Sequence, residues 1–355
     1  MVILIKKILI PIITFFSFFA LGFNNSTSSN YKSDIVVKGI TLKVSLIQTA
    51  YELYNVNVKN PKEFNEDLYK STSYDAYKHY IWLKDTYNDM DDDLKNSLYD
   101  IFTTNDSWSY SNAVIGLDDN SSLEDIIKTI LNDDYLNLSP SFCKEFDNFF
   151  TSFYEDYFKS YFYKNKATYE KKANDINNLL ASKKVDIINF IESSSGLDID
   201  SGYSYTFYYS LNPIESQGFK SNKKLISTIP KNTPYKDIIS IPLHEFSHII
   251  FEYFVNSDEF LDAYEKLKDD KKLTKMYDKV GKYAYNYKDF CSENLIEGFS
   301  KFLNYRYFQG VYEENIYVYD LDFYRYLRKL NFNPQASSLK DVSINFLEKT
   351  LNLYP

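Results

Sequence analysis

The stretch IPLHEFSHIIFEYF, residues 241–254, carries two of the chain's three histidines, spaced four apart. It has no glycine, and Leu243, Phe246, Ile249, Ile250 and Phe254 give it apolar faces, so His244–Phe254 is predicted to be helical. Two starts are open. The helix can begin at Thr233-Pro234 and kink at Pro242, or Ser240 can cap it with Pro242 in the first turn, where a missing N–H costs little. Either way, residues i and i+4 share one face, and His244 and His248 present their imidazoles side by side. That pair suits a zinc ion, which takes neutral imidazole nitrogens at about 2.0–2.1 Å. Glu245 lies about 100° round the helix, beside such an ion rather than on it, where a carboxylate can serve as a general base. The plainer alternative is a helix with two partly buried, hydrogen-bonded histidines.

A zinc site needs a third protein ligand. The remaining histidine, His79, lies far upstream in YDAYKHYIWL and reads as a packed residue, so the ligand is expected to be acidic. FCSENLIEGFSKFLNYRYF (290–308) offers Glu293 and Glu297, again four apart, beside an apolar stripe of Phe290, Ile296, Phe299 and Leu303. Carboxylates next to apolar surface are costly unless something cationic faces them, and a metal with its histidines would do so. Glu252 and Glu259 are weaker candidates, Glu252 standing two turns beyond His244.

Composition narrows the fold and the partners. With 35 Tyr and 28 Phe against 9 Gly and 9 Pro, packed helices are favoured over a turn-rich all-β architecture. A net charge of −9 without a basic block in the body of the chain argues against nucleic acid. Cys143 and Cys291 cannot build a disulfide framework or a cysteine metal site, although one bridge between them stays open. At the start, Lys6 and Lys7 precede ILIPIITFFSFFALGF and the polar NNSTSSN, with small residues at Ala20 and Gly22. This pattern predicts a signal peptide over 1–23 and a secreted or cell-surface bacterial protein; membrane attachment follows only if the segment stays uncleaved as an anchor.

Along the chain, alternating Ile40, Leu42, Val44 and Leu46 in GITLKVSLIQ predict a strand. The pattern is then mainly helical to about 195. Ser121 or Ser122 is a cap with Glu124 or Asp125 completing a capping box, and Ser139-Pro140 opens a helix with a stripe of Phe142, Phe146, Phe149, Phe150, Phe153 and Tyr157. Gly196 is a helix stop. YSYTFYYSLN (203–212) and KKLISTIP (223–230) read as two strands of a hairpin around the loop NPIESQG. The expected class is α+β, with a mainly helical region over 31–165 and a second domain over 166–355.

HEFSH followed by ENLIEGF resembles the gluzincin metallopeptidases, and within them most nearly the branch of the anthrax lethal factor catalytic domain and the Pro-Pro endopeptidases. About residues 140–310 also resemble an uncharacterised bacterial family of HExxH proteins. The resemblance implies a zincin-like catalytic domain with a small mixed sheet and an active-site helix. It implies His244, His248 and Glu293 as zinc ligands, Glu245 as the base, and Glu297 as acceptor of a ligand histidine's free N–H. A competing alignment takes IEGFSKF as the ligand motif and makes Glu297 the ligand. Gly298 is expected to let this helix approach the histidine helix. The relatives carry an oxyanion-stabilising Tyr seven residues before the ligand Glu; here that position is Asn286, leaving its neighbours Tyr285 and Tyr287 as candidates. A substrate strand would pair with KKLIST as a sheet edge. The implied function is an exported zinc metallopeptidase acting on a protein or peptide substrate. The rivals are a catalytically silent binding protein of the same fold and a helical surface protein in which the motif is accidental.

Overall fold

The computed structural model describes residues 33–353; the expected signal segment, 1–23, lies outside them. Among the described residues no helix is long and apolar enough to cross a membrane. The chain is α+β: among the described residues helices dominate, with one mixed four-stranded sheet. It forms two compact units that interleave in sequence, one from residues 35–178 and 200–242, the other from 33–34, 179–199 and 243–353.

The first unit opens with β1 (Ile35–Lys38) and α1 (Leu42–Tyr54). Then come α2 (Glu66–Thr72), α3 (Tyr74–Asp89), α4 (Asp92–Thr104), α5 (Ser107–Val114), α6 (Leu123–Leu131), α7 (Pro140–Ser152) and α8 (Lys159–Ser182). Ser122 caps α6 in a capping box with Asp125, and Ser139 caps α7 with Pro140 in the first turn, as the sequence predicted. A π-helical turn, Phe153–Phe158, carries α7 into α8, and Phe146, Phe149, Phe150, Phe153 and Phe158 are all buried.

The strand expected in GITLKVSLIQ is instead α1, and the strand lies just before it at β1. The alternation misled because α1 is buried all round. Its polar positions do not face water: the Lys43 ammonium is enclosed and donates to the Ile115 and Leu117 carbonyls, 3.0 Å from Asp119. A helix enclosed on every side need show no 3.6-residue stripe.

β2 (Ser204–Ser210), β3 (Gln217–Ser221) and β4 (Lys224–Pro230) complete the sheet in the order β1-β2-β4-β3. β2 and β4 are therefore not a hairpin. They run parallel, with Tyr205 opposite Leu225, and the strand that turns back on β4 is β3, whose first two residues, Gln217 and Gly218, belong to the expected loop NPIESQG. Asn222 makes that turn with φ 54°, a left-handed value that Asn tolerates. β4 has partners on both sides, so a substrate strand cannot add to KKLIST. All four strands belong to the same unit as α1–α7, because β1 supplies the parallel neighbour of β2. His79 is packed here, as expected: its ring nitrogens lie 2.8 Å from Glu52 and 2.7 Å from the Tyr161 hydroxyl, and it stacks on Trp82.

The second unit holds α9 (Ile187–Ser195), ended by Gly196 at φ 74°, and the part of α10 (Tyr235–Glu252) from Leu243 on. α11 (Asp258–Leu267), α12 (Lys271–Lys279), α13 (Tyr287–Phe308), α14 (Asp320–Lys329) and α15 (Leu339–Leu353) follow. α10 starts just after Pro234 and continues through Pro242, so Ser240 is interior and caps nothing. α13 is the central helix, buried on nearly every face from Phe290 to Asn304. Gly298 serves it as a contact point, though not with the histidine helix. A Cβ there would come 2.7 Å from the Asp320 carbonyl and 2.9 Å from Phe323, so the glycine lets α14 approach. Both cysteines are free thiols.

Candidate metal centre

α10 and α13 bring four of the predicted side chains together. His244 and His248 project from successive turns of α10, and their Nε2 atoms are 3.2 Å apart. Glu293 of α13 faces both, with Oε1 3.7 Å from His248 Nε2 and Oε2 3.9 Å from His244 Nε2. Atoms held about 2.1 Å from one tetrahedral ion lie about 3.4 Å from one another. The three spacings bracket that value, so this His-His-Glu group could hold a metal ion.

The buried chemistry fits a cation independently. Glu293 Oε2 is buried and has no hydrogen-bond partner among the described residues, a costly state for a carboxylate oxygen. Glu297 lies behind His244, 2.9 Å from Nδ1. The contact is an ion-pair approach rather than an aligned hydrogen bond, and a carboxylate there favours a proton on Nδ1 and a bare Nε2, the tautomer a metal needs. On its other side Glu297 accepts from Lys301 Nζ at 2.7 Å, and Lys301 also reaches Asp320 at 2.6 Å. The carboxylates Glu293, Glu297 and Asp320 are thus gathered around α13 with one enclosed ammonium, Lys301, which reaches only Glu297 and Asp320. Carboxylates outnumber the ammonium in this group, an imbalance that a bound cation would relieve.

Without that ion, protons fill the deficit. Burial pushes the Glu293 carboxyl up to about 7. Burial alone would depress His244, but Glu297 outweighs it and holds the imidazole up at about 9. Burial also raises Glu297, yet its bonds to His244 and Lys301 win, and its carboxyl sits below the ordinary range. A metal has to displace protons to bind here, so its affinity falls as pH drops.

Glu245 stands half-buried next to His244. Desolvation raises its pKa, and no hydrogen bond or ion pair among the described residues ties its carboxylate down. Of the two tyrosine candidates, Tyr287 is committed elsewhere: its hydroxyl donates to the Leu267 carbonyl at 2.7 Å. Tyr285 is 3.3 Å, hydroxyl to hydroxyl, from Tyr317. Burial, with the field of Glu293, pushes both of their phenol pKa values up, so both remain protonated donors. Asn286 is explained by its other duty: it caps α13, accepting from the Asp289 N–H at 2.9 Å. Glu252 is exposed and Glu259 pairs with Lys340 at 3.2 Å, so neither joins the site.

Sequence reasoning missed Tyr317, Lys301 and Asp320. Tyr317 sits in a tyrosine-rich loop with no spacing signal. The loop is fixed by one tertiary anchor and one local one: Asn294 Oδ1 accepts from the Val318 and Tyr319 N–H groups, and the nearby Asp320 from those of Ile316 and Tyr317. Lys301 did carry a signal, since it follows Glu297 by four on the same helix.

The two glutamates are separable by zinc titration. With the ligand set that the resemblance implies, Glu293→Gln is expected to lose most zinc affinity, because the amide is a poor ligand. Glu297→Gln is expected to weaken zinc by about 10–100-fold, the usual cost of removing a ligand's supporting partner. The opposite ranking would move the ligand role to Glu297.

Compared with family models, curated proteins and solved structures, the chain has no match.

Proposed function

We propose that this chain is an exported zinc metallopeptidase of the gluzincin type, with a zincin-like catalytic domain. The observation that carries the reading is the convergence of His244, His248 and Glu293 beside an untethered Glu245. Zinc bound there would polarise a peptide carbonyl and bring the pKa of water to about 7. Glu245 takes the proton of the attacking water and passes it to the leaving amine. Desolvation raises the Glu245 pKa, which makes it a stronger proton acceptor than an ordinary carboxylate. The Tyr285 or Tyr317 hydroxyl donates to the developing oxyanion, since both stay protonated close to the carboxylate cluster. Glu297 holds His244 in its ligating tautomer, and Lys301 with Asp320 holds Glu297.

The test joins metal analysis to turnover. The purified chain is expected to carry about one zinc, to cleave members of a peptide library, and to lose cleavage when chelated and regain it on zinc addition. Zinc is expected to bind more tightly at about pH 8 than at about pH 6. A chain that takes up no zinc even from added metal sinks the reading; one that binds zinc and cleaves nothing in the library leaves a zinc-binding protein without the activity.

A further inference from the structure

The chain has 40 lysines and arginines, of which only Arg306, Arg325 and Arg328 are arginines. All three line one cavity of about 610 Å³ in the second unit, with Lys329 beside them and no Asp or Glu in the lining. In a chain of net charge −9 this is a concentrated positive recess. Cations that line one recess with few carboxylates in reach repel one another, an arrangement that makes sense when an anion joins them.

The choice of arginine is informative. In a chain that otherwise uses lysine almost exclusively, the guanidinium is kept where its planar fork and its stacking matter, and lysine supplies neither. Arg328 shows both. Its guanidinium lies 4.2 Å from the centroid of the Tyr305 ring, and Nη1 donates to the Tyr324 hydroxyl at 3.1 Å. Those contacts fix the plane of the fork and leave further N–H groups for a ligand. Arg306 and Arg328 form no ion pair with a carboxylate among the described residues, and Arg325 has only Asp322 at 3.9 Å. Phe302 and Phe332 add buried apolar surface to the wall.

From these features we infer a second binding site, for a phosphorylated small molecule. One carboxylate would offset one of four cations. A phosphoryl group brings close to two negative charges and three acceptor oxygens, which matches forked donors converging from two helices. The cavity is within the size range of small-molecule sites and larger than a lone ion requires, so its aromatic wall receives the organic part. The site is separate from the metal centre: Arg306 follows Glu293 by 13 residues on α13, about 20 Å along the axis. It does not depend on the proposed peptidase activity.

Calorimetric titration of the full chain with inorganic pyrophosphate at low salt tests the inference. Saturable binding is expected, weakened about tenfold by Arg306→Gln or Arg325→Gln and lost in the double variant, since each charge-assisted contact contributes about that factor. Arg306 and Arg325 are exposed, so both variants should keep the melting temperature and zinc content of the parent. Arg328→Lys, which keeps the charge and removes the fork, is expected to weaken binding too. Vesicles of phosphatidylcholine containing phosphatidylglycerol separate the sources. Recruitment that pyrophosphate competes off assigns the phosphoryl group to a lipid; pyrophosphate binding without recruitment assigns it to a soluble ligand. No saturation at millimolar pyrophosphate, binding unchanged in the double variant, or succinate bound as tightly as pyrophosphate would overturn the proposal.

Discussion

For the zinc peptidase proposed above, Glu245→Gln is expected to keep one zinc per chain and to lose peptide hydrolysis by a factor of about 10²–10⁴. Gln is nearly isosteric with Glu, and the Glu245 carboxylate makes no hydrogen bond or ion pair among the described residues, so the exchange breaks nothing in the fold. What it removes is the capacity to accept a proton. The proposed ligands His244, His248 and Glu293 are untouched, which is why metal content and turnover should separate. Steady-state rates on the best library peptide, normalised to bound zinc, give the answer. A variant within about threefold of the parent would show that another group is the base.

Lys301→Met is expected to destabilise the chain by about 3–5 kcal/mol, the usual cost of breaking a buried ion pair from one side. The Lys301 ammonium is enclosed between Glu297 at 2.7 Å and Asp320 at 2.6 Å, and its side chain is 3% exposed. Methionine fills much of the volume but strands the Asp320 carboxylate without its ammonium and leaves Glu297 with the His244 imidazole alone. Burial already pushes Asp320 upward against the pull of Lys301, so its charged form has little support to spare. Urea unfolding of the chelated protein measures the loss. Adding Asp320→Asn to the Lys301→Met background should recover part of it, because one stranded charge is gone. A loss under about 1 kcal/mol would mean that water or local rearrangement already solvates the pair, and that Lys301 does not hold Glu297 in place.

The parts legible in the sequence are those that one helix settles alone. His244 and His248 meet because residues four apart share a face, and Glu293 and Glu297 share a face for the same reason. The Ser122 capping box, Pro140 after Ser139, and the left-handed Gly196 are local bargains between a side chain and the nearest backbone, so neighbours in sequence suffice to find them. The tertiary structure decided whatever needed a second segment. Enclosure of α1 on every side erased its helical stripe and made LKVSLIQ look like a strand. The parallel pairing of β2 with β4 rests on β1 and β3 taking the outer places, which no turn signal between them announced. Glu293 faces two imidazoles while Glu297 faces only Nδ1 because of how α13 lies against α10, and Tyr285 is distinguished from Tyr287 by where each hydroxyl finds a partner. Periodicity records which way a side chain leaves its own helix; which groups it meets is set by packing between segments far apart in the chain, and the three arginines gathered in one cavity are visible only there.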